Sequence, residues 1–157
     1  MDASLHIILY QPEIPPNTGN IVRLCAATGS TLHLVGPLGF RLDSAAVRRA
    51  GMDYREWADV RRWNDWAHYW QAHPPEARLF LVTTHGTRNH AEWSYRPGDR
   101  FLFGAEGSGL PESLRTRHRE TLLRIPMVAQ ARSLNLANSV AILLYEALRQ
   151  VGFPGLV

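Results

Sequence analysis

The chain has 157 residues and a mass of 17.7 kDa, with 17 basic side chains, 14 acidic ones and a single cysteine. This length fits one domain, residues 1–157, and a hydrophobic content of 45% excludes a disordered, collagen-like or coiled-coil chain. The sequence has neither an apolar run of membrane-spanning length nor a signal peptide, so we expect a cytoplasmic protein without membrane contact. Cys25 has no partner for a disulfide, and we expect no metal site.

All 17 basic residues are arginine. The absence of lysine excludes Schiff-base catalysis and the lysine-dependent phosphate loop. Between Ser113 and Arg132, five arginines against the single acid Glu120 give a net charge of +4; the whole chain carries +3, so the remainder sums to −1. This concentration of charge favours a polyanionic partner such as RNA, although a surface helix that merely carries arginines remains an alternative.

Short apolar runs separated by turn residues predict a series of strands. They span residues 5–10, 31–35, 79–84, 100–104 and 122–125. The runs at 79–84 and 100–104 are nearly continuously apolar, as is typical of central strands in a parallel sheet.

Apolar residues at helical spacing occur between and after these strands. The first predicted helix is capped by Asn17, Thr18 or Gly19 and ends at Gly29, with Cys25 on its buried face. A second helix is predicted around residues 45–50, and a long closing helix over 136–150. Trp63, Trp66 and Trp70 recur at helical spacing, which predicts that they form a stripe on one helix. Alternation of strands and helices indicates an α/β sheet with helices on both faces.

The histidines and serines of the chain do not form a hydrolase pattern. His6 and His33 lie inside predicted strands and are interpreted as core histidines, whereas His85 and His90 lie in a loop and remain ambiguous. Neither a GxSxG elbow nor an HExxH pair is present.

Three segments with unusual residue choices follow predicted strands: PPNTGNIVR at 15–23, FGAEGSGLP at 103–111 and IPMVAQARSLNLANSVA at 125–141. Open α/β sheets bind ligands at the carboxyl ends of their strands, so we expect these segments to form one site. In the second segment, glycines around Glu106 let the backbone approach a ligand closely. The dinucleotide fingerprint GxGxxG is absent, which disfavours a nicotinamide enzyme.

Taken together with PLGFRLD (37–43), RRAGMDY (48–54) and RSLNLANSVAILLYEALRQ (132–150), these motifs occur in a characteristic order. The ordered set resembles the SPOUT superfamily of S-adenosylmethionine-dependent RNA methyltransferases. Within it, the chain is similar to the small 2′-O-methyltransferases of the TrmL type, which modify a cytidine or modified uridine at the tRNA wobble position. The similarity runs nearly from end to end.

The resemblance implies an α/β knot, in which the C-terminal segment is threaded through a loop, and a homodimer whose first and last helices pack against the partner. The apolar faces of 21–27 and 140–148 would then be buried between subunits. It also implies an S-adenosylmethionine pocket, a tRNA substrate and an active site. The cofactor-binding residues would be Val82, Gly104, Glu106, Gly109, Ile125 and Ser133. The catalytic residues would be Arg23, Asn135 and Tyr145. The substrate-binding residues would be Asn17, Arg115, Arg117 and Arg132.

The second motif departs from the family pattern. Relatives often carry proline at Ala105 and a threonine-arginine pair where this chain has Gly107 and Ser108. Arg132, or the arginines at 115–119, are candidates to replace the missing arginine. Three alternatives stay open: methylation of another tRNA or ribosomal RNA nucleotide, a non-catalytic RNA-binding protein, and a generic nucleotide-binding domain, which the missing fingerprint disfavours.

Overall fold

A computed structural model describes residues 3–49, 51, 54–57 and 59–157. The described residues form one seven-stranded sheet in which all strand pairs are parallel. The strands are β1 (His6–Tyr10), β2 (Thr31–Val35), β3 (Arg61–Trp63), β4 (Leu79–Val82), β5 (Arg88–Asn89), β6 (Arg100–Phe103) and β7 (Leu122–Arg124). Their spatial order is β3-β2-β1-β6-β4-β7-β5. The predicted α/β class and all five predicted strands are confirmed; β3 and β5 were not predicted.

The described part of the chain also forms six α-helices. They are α1 (Pro15–Thr28), α2 (Ser44–Arg49), α3 (Tyr54–Trp57), α4 (Trp66–Gln71), α5 (Glu112–Arg117) and α6 (Leu136–Val151). Two short 3₁₀ turns span His90–Glu92 and Arg119–Thr121. The helix predicted at 45–50 corresponds to α2, although Ala50 lies outside the described residues, as do two positions of the 48–54 motif, Met52 and Asp53. None of the described helices is both long and apolar enough to cross a membrane.

The limits of α1 are partly as predicted. Gly29 ends the helix in the left-handed region at φ 68°, which confirms its role as the stop. The predicted cap at Asn17, Thr18 or Gly19 is wrong, because α1 already begins at Pro15 and its N-cap residue, Ile14, has no side-chain cap. Proline suits this first position because it has no N–H that would need a partner.

Side chains alternate between the two faces of the sheet with the period of two that strands impose. Ile7 and Leu9 of β1 belong to the larger core cluster with residues of α1 and α6, whereas Ile8 belongs to a second cluster with Tyr69 of α4 and Leu114 of α5. Helices therefore cover both faces. The apolar faces of 21–27 and 140–148 supply Ile21, Val22 and Cys25 and five residues of α6 to the larger cluster, so these residues are already buried within the chain. The packing of both helices against a partner subunit stays a prediction.

The tryptophan stripe is only partly helical. Trp66 and Trp70 lie on α4 and stack at 5.8 Å, but Trp63 ends β3, so its place in a helical stripe was wrong. Asp65 caps α4 by accepting a hydrogen bond from the backbone N–H of His68. The helix therefore begins at Trp66, three residues after Trp63.

The buried histidines form a closed cluster beneath α4. His33 is fully buried, contacts His6 at 2.9 Å and accepts a hydrogen bond from the indole N–H of Trp63 at 3.0 Å. Tyr69 and His73 pack their rings against His33. Burial, reinforced by the charges of neighbouring histidines and arginines, lowers the pKa of His33 to about 2. The interpretation of His6 and His33 as core histidines is confirmed.

Candidate functional site

The carboxyl ends of β1, β6, β4 and β7 meet where the strand order changes direction. From β1 the chain moves outward to β2 and β3, and it then returns to the other side of the sheet for β4. Such a switch point leaves a crevice between loops that turn in opposite directions. A cavity of about 600 Å³ occupies it, lined by residues that follow β4, β6 and β7 and by the beginnings of α1 and α6.

This cavity brings together ten of the thirteen residues predicted for the site. They are Asn17, Val82, Gly104, Glu106, Gly109, Arg115, Ile125, Arg132, Ser133 and Asn135. The three predicted loops therefore do converge, although their individual roles stay predictions. The exceptions, which do not line this cavity, are Arg23, Arg117 and Tyr145.

A glycine turn after β6 forms part of the cavity wall. The backbone N–H of Gly109 donates to the carbonyl of Ala105 at 2.9 Å and closes the turn. A Cβ atom on Gly104 would lie 2.2 Å from the carbonyl carbon of Gly109 and 2.4 Å from the nitrogen of Leu110. Since both neighbours are backbone, no side-chain movement would relieve the clash. Gly104 is required for the turn itself, which places several backbone groups beside the cavity.

Glu106 joins this turn to the start of α1. Its two carboxylate oxygens accept hydrogen bonds from the backbone N–H groups of Glu13 at 2.9 Å and Ile14 at 2.7 Å. The first turn of α1 has no acid of its own, so Glu106 supplies both the missing cap and a negative charge near the positive end of the helix. In return, the Glu13 carboxylate accepts from the N–H of Gly107 at 3.1 Å. Two carboxylates thus hold two loops together reciprocally.

A chain of amides extends this connection to the third loop. Asn17 is buried, donates from Nδ2 to Glu106 at 3.3 Å, and accepts at Oδ1 from Nδ2 of Asn135 at 3.0 Å. Asn135 also caps α6, since its Oδ1 accepts from the N–H of Asn138. The three predicted motifs are therefore linked by side-chain hydrogen bonds across more than 100 residues of sequence. This arrangement fixes the relative position of the loops that line the cavity.

Arg23 lies on α1, away from the cavity of its own chain. Its guanidinium donates to the carbonyl of Gly51 at 2.9 Å and lies 3.6 Å from the Glu56 carboxylate. The side chain is 63% exposed, so this arginine remains accessible from outside. A catalytic role in its own cavity does not agree with this position.

The other two outlying residues have separate surroundings. Tyr145 is 47% exposed on the outer side of α6, with the ring of Phe153 at 6.5 Å. Arg117 lies over the ring of Trp70 at 5.5 Å, on the far side of α5 from the cavity. Arg115, two residues earlier on α5, faces the cavity and donates from Nε to the carbonyl of Leu110. Of the arginines proposed to replace the missing second-motif arginine, Arg115 and Arg132 are the two that line the cavity.

Several cavity residues were not predicted from the sequence. Thr83, Thr84 and His85 follow β4 directly. The signal that would have found them is the rule already applied to the glycine loop, namely that residues just after a parallel strand face the ligand edge. Among the described residues, no cluster of histidine, cysteine and acidic side chains is arranged to hold a metal ion.

The fold and the cavity define a doubly wound α/β domain with a cavity of nucleotide size at its switch point, lined by a glycine turn, small polar groups and arginines. The model of the SpoU rRNA methylase family matches residues 4–145. The chain therefore belongs to the SpoU methylase family.

Known proteins of this family are similar over nearly the whole chain. The tRNA (cytidine(34)-2′-O)-methyltransferase of Escherichia coli K12 is 51% identical over 154 residues, 98% of each chain. A structure solved to explain the 2-OH methylation of C/U34 on tRNA is 46% identical, with a TM-score of 0.86, and the match covers 94% of this chain and 91% of the other. The SpoU methyltransferase AviRb of Streptomyces viridochromogenes, solved with the cofactor AdoMet, is 27% identical with a TM-score of 0.77, covering 96% and 61%.

Proposed function

We propose that this chain transfers a methyl group from S-adenosylmethionine to the ribose 2′-oxygen of the tRNA wobble nucleotide, position 34, a cytidine or modified uridine. The observation that carries the proposal is the convergence of the three predicted loops in one cavity at the switch point of the sheet. A relative named for this reaction, which is 51% identical over 98% of the chain, supports the choice of substrate. The proposal includes one catalytic domain, a threaded C-terminal segment, and action in the cytoplasm.

The cavity fits the cofactor in size and chemistry. Its volume of about 600 Å³ lies within the usual range for cofactor sites of ~300–1,000 Å³. Val82 and Ile125 offer apolar surface, the turn that Gly104 permits offers backbone groups, and Ser133 offers a hydroxyl. When bound, S-adenosylmethionine supplies an activated methyl group on a positively charged sulfur.

The residues of the chain mainly orient the acceptor. Asn135 is held by Asn17 at the cavity rim, and Arg115 and Arg132 place positive charge where the phosphates of an RNA strand would enter. Holding the ribose oxygen in line with the methyl group lowers the barrier by several kcal/mol through alignment alone. Glu106 acts by keeping α1 and the glycine turn together, because its oxygens are already engaged by backbone N–H groups.

Arg23 is assigned to the active site of a partner subunit. It is exposed and outside its own cavity, and Ile142 (41% exposed) and Tyr145 on α6 provide apolar surface for a homodimer. A guanidinium is a donor that does not readily give up its proton, so Arg23 is not assigned as the base. It holds the phosphate next to the target and polarises the hydroxyl, while another group or water accepts the proton.

The decisive experiment is in vitro methylation of a tRNA panel, with the modified nucleotide located by mass spectrometry. Methylation at position 34 is expected, and methylation elsewhere would replace the proposed substrate. Calorimetric titration with S-adenosylmethionine accompanies it; no detectable binding would favour a non-catalytic RNA-binding protein.

The role of Arg23 is tested separately by Arg23→Lys. A partial loss of methyl transfer is expected because lysine cannot reproduce the bidentate phosphate contact. Near-normal turnover with unchanged RNA affinity would contradict the assignment. Mixing Arg23→Ala with Asn135→Ala subunits should restore part of the activity if each site combines Arg23 of one subunit with Asn135 of the other.

A further inference from the structure

A second cavity lies beside the first at the same edge of the sheet. It has a volume of about 620 Å³ and opens above the carboxyl ends of β2 and β3. Its lining combines charged, polar and aromatic groups, including Phe40, Arg41, Arg62 and Asn64. The reaction proposed above uses none of these residues.

Backbone packing forms the floor of this second cavity. The N–H of Gly36 donates to the carbonyl of Trp63 at 2.9 Å, which joins the end of β2 to the end of β3. A Cβ atom on Gly36 would lie 2.9 Å from the carbonyl oxygen of Asn64. The close approach requires glycine, and it keeps the floor of the cavity in place.

Two arginines bring positive charge to this cavity. Arg41 is 86% exposed at its side chain and is oriented by Asp43 at 3.0 Å, while Asp43 itself accepts from the N–H of Ala46 at the start of α2. Arg62 is exposed, and within the described residues its guanidinium makes no hydrogen bond or ion pair. Guanidinium groups and an aromatic ring in one cavity offer the contacts by which proteins bind the phosphate and the base of a single-stranded nucleotide.

The two cavities are separated by a distance that suits one RNA strand. The first is centred above β6 and β4 and the second above β3 and β2, which are three strand positions apart, or about 14 Å at ~4.8 Å per strand. At a rise of ~3.4 Å per stacked nucleotide, this distance corresponds to about four stacked nucleotides, and to fewer in an extended strand.

The segment between the cavities contacts both. The carbonyl of Pro12 accepts from the N–H of Gly39 at 3.2 Å on the side of the second cavity. The carboxylate of Glu13 accepts from the N–H of Gly107 on the side of the first. An RNA strand that lies across residues 11–14 would therefore pass from one cavity to the other over a segment that hydrogen bonds hold on both sides.

We propose that the second cavity binds a nucleotide of the substrate RNA two to four positions from the target ribose, with Arg62 and Arg41 holding its phosphate and Phe40 contacting its base. This inference rests on the proposed function for the identity of the RNA. It adds a binding subsite that makes the enzyme recognise a stretch of single strand instead of one nucleotide.

The variants Arg41→Ala, Arg62→Ala and their combination test the subsite, with Arg96→Ala as the matched control. Arg96 is an exposed arginine that precedes β6 at the amino-terminal edge of the sheet, so its removal changes the net charge as much as each single variant does. The double variant is expected to raise the KM for tRNA about tenfold, with kcat and the Kd for S-adenosylmethionine unchanged. Equal KM changes in the double variant and the control, or a loss confined to kcat, would overturn the proposal.

Direct RNA binding makes the test independent of turnover. Fluorescence anisotropy with an anticodon stem-loop RNA, carrying one methylphosphonate at each successive position around the target, locates the phosphate that the arginines contact. A methylphosphonate at one position, two to four nucleotides from the target, should weaken RNA binding to the wild type. The same substitution should not weaken binding to Arg62→Ala any further. Additive effects at every position would refute the subsite. If the wild type binds this RNA yet methylates no tRNA, the proposed function fails while the anisotropy result still decides the subsite.

Discussion

Two clusters of polar side chains in the described residues differ in their surroundings, because one borders a cavity and the other is packed in the core. At the carboxyl edge of the sheet, Glu106, Asn17 and Asn135 connect three loops around open space. Beneath α4, the histidine cluster around His33 is equally rich in titratable groups but is filled by its own rings. The comparison shows that a cluster of polar residues marks a site only where the backbone leaves room beside it. Four predictions test this difference, from the largest expected effect to the smallest.

Replacing Gly104 should destroy the cavity edge. In Gly104→Ala the new methyl group meets backbone atoms at 2.2–2.4 Å, so the turn must rearrange. We expect binding of S-adenosylmethionine to weaken about a hundredfold, ~2.7 kcal/mol, as measured by calorimetric titration. Gly107→Ala is the control, because its methyl group would meet only the Glu13 carboxylate at 3.3 Å, which can move. Similar losses in both variants would show that the turn does not depend on the close approach at Gly104.

Removing the Glu106 carboxylate should weaken the hydrogen bonds between the loops without changing the packing of the apolar core. Glu106→Ala leaves the N–H groups of Glu13 and Ile14 without their acceptor, and we expect a loss of ~1–2 kcal/mol in the free energy of unfolding by urea. Glu106→Gln keeps one oxygen acceptor and should lose about half as much. Glu76→Gln, at an exposed turn, controls for the charge. An Ala variant as stable as the wild type would mean that solvent replaces these hydrogen bonds.

The histidine cluster should make the stability of the fold sensitive to acid. The pKa of His33 is lowered to about 2 in the folded protein, whereas an unfolded histidine titrates near ~6.5. Below pH ~6.5 the unfolded chain binds a proton that the folded chain refuses, so stability falls as pH falls, by up to ~1.4 kcal/mol per pH unit from this residue. Urea unfolding at pH 7 and 5 measures the slope. In His33→Gln the slope of the unfolding free energy against pH should fall by the equivalent of up to one bound proton. An unchanged slope would assign the acid sensitivity to other groups.

Cys25 should be nearly inert. The thiol is buried on α1, and burial raises its pKa to about 12, so very little thiolate exists at pH 8. An aromatic disulfide reagent should titrate one thiol only after unfolding in denaturant. Rapid reaction in the folded protein would reveal that α1 opens locally, which would also bear on the cap that Glu106 provides.

The sequence predicted the loops of the site better than the surroundings of their side chains. Glycines after a strand and amides at the start of a helix are local signals, and the structure brings the loops at Gly104 and Asn135 together as expected. Arg23 carried an equally clear motif, but its direction from α1 depends on how the helix lies on the sheet. Periodicity alone also placed Trp63 in a helix, since it does not distinguish a strand residue from the helical residues that follow it.

Local patterns thus determined the parallel α/β class, the strands at the centre of the sheet, and the edge of the sheet where the cavity lies, because hydrophobic runs and turn residues act over a few positions. Only the tertiary structure decided that Glu106 caps α1, that Asn17 joins Asn135, and that Arg117 faces Trp70 and not the cavity. Each of these contacts joins segments far apart in the chain, and their geometry follows from the packing of helices on the sheet, which no short stretch of sequence contains.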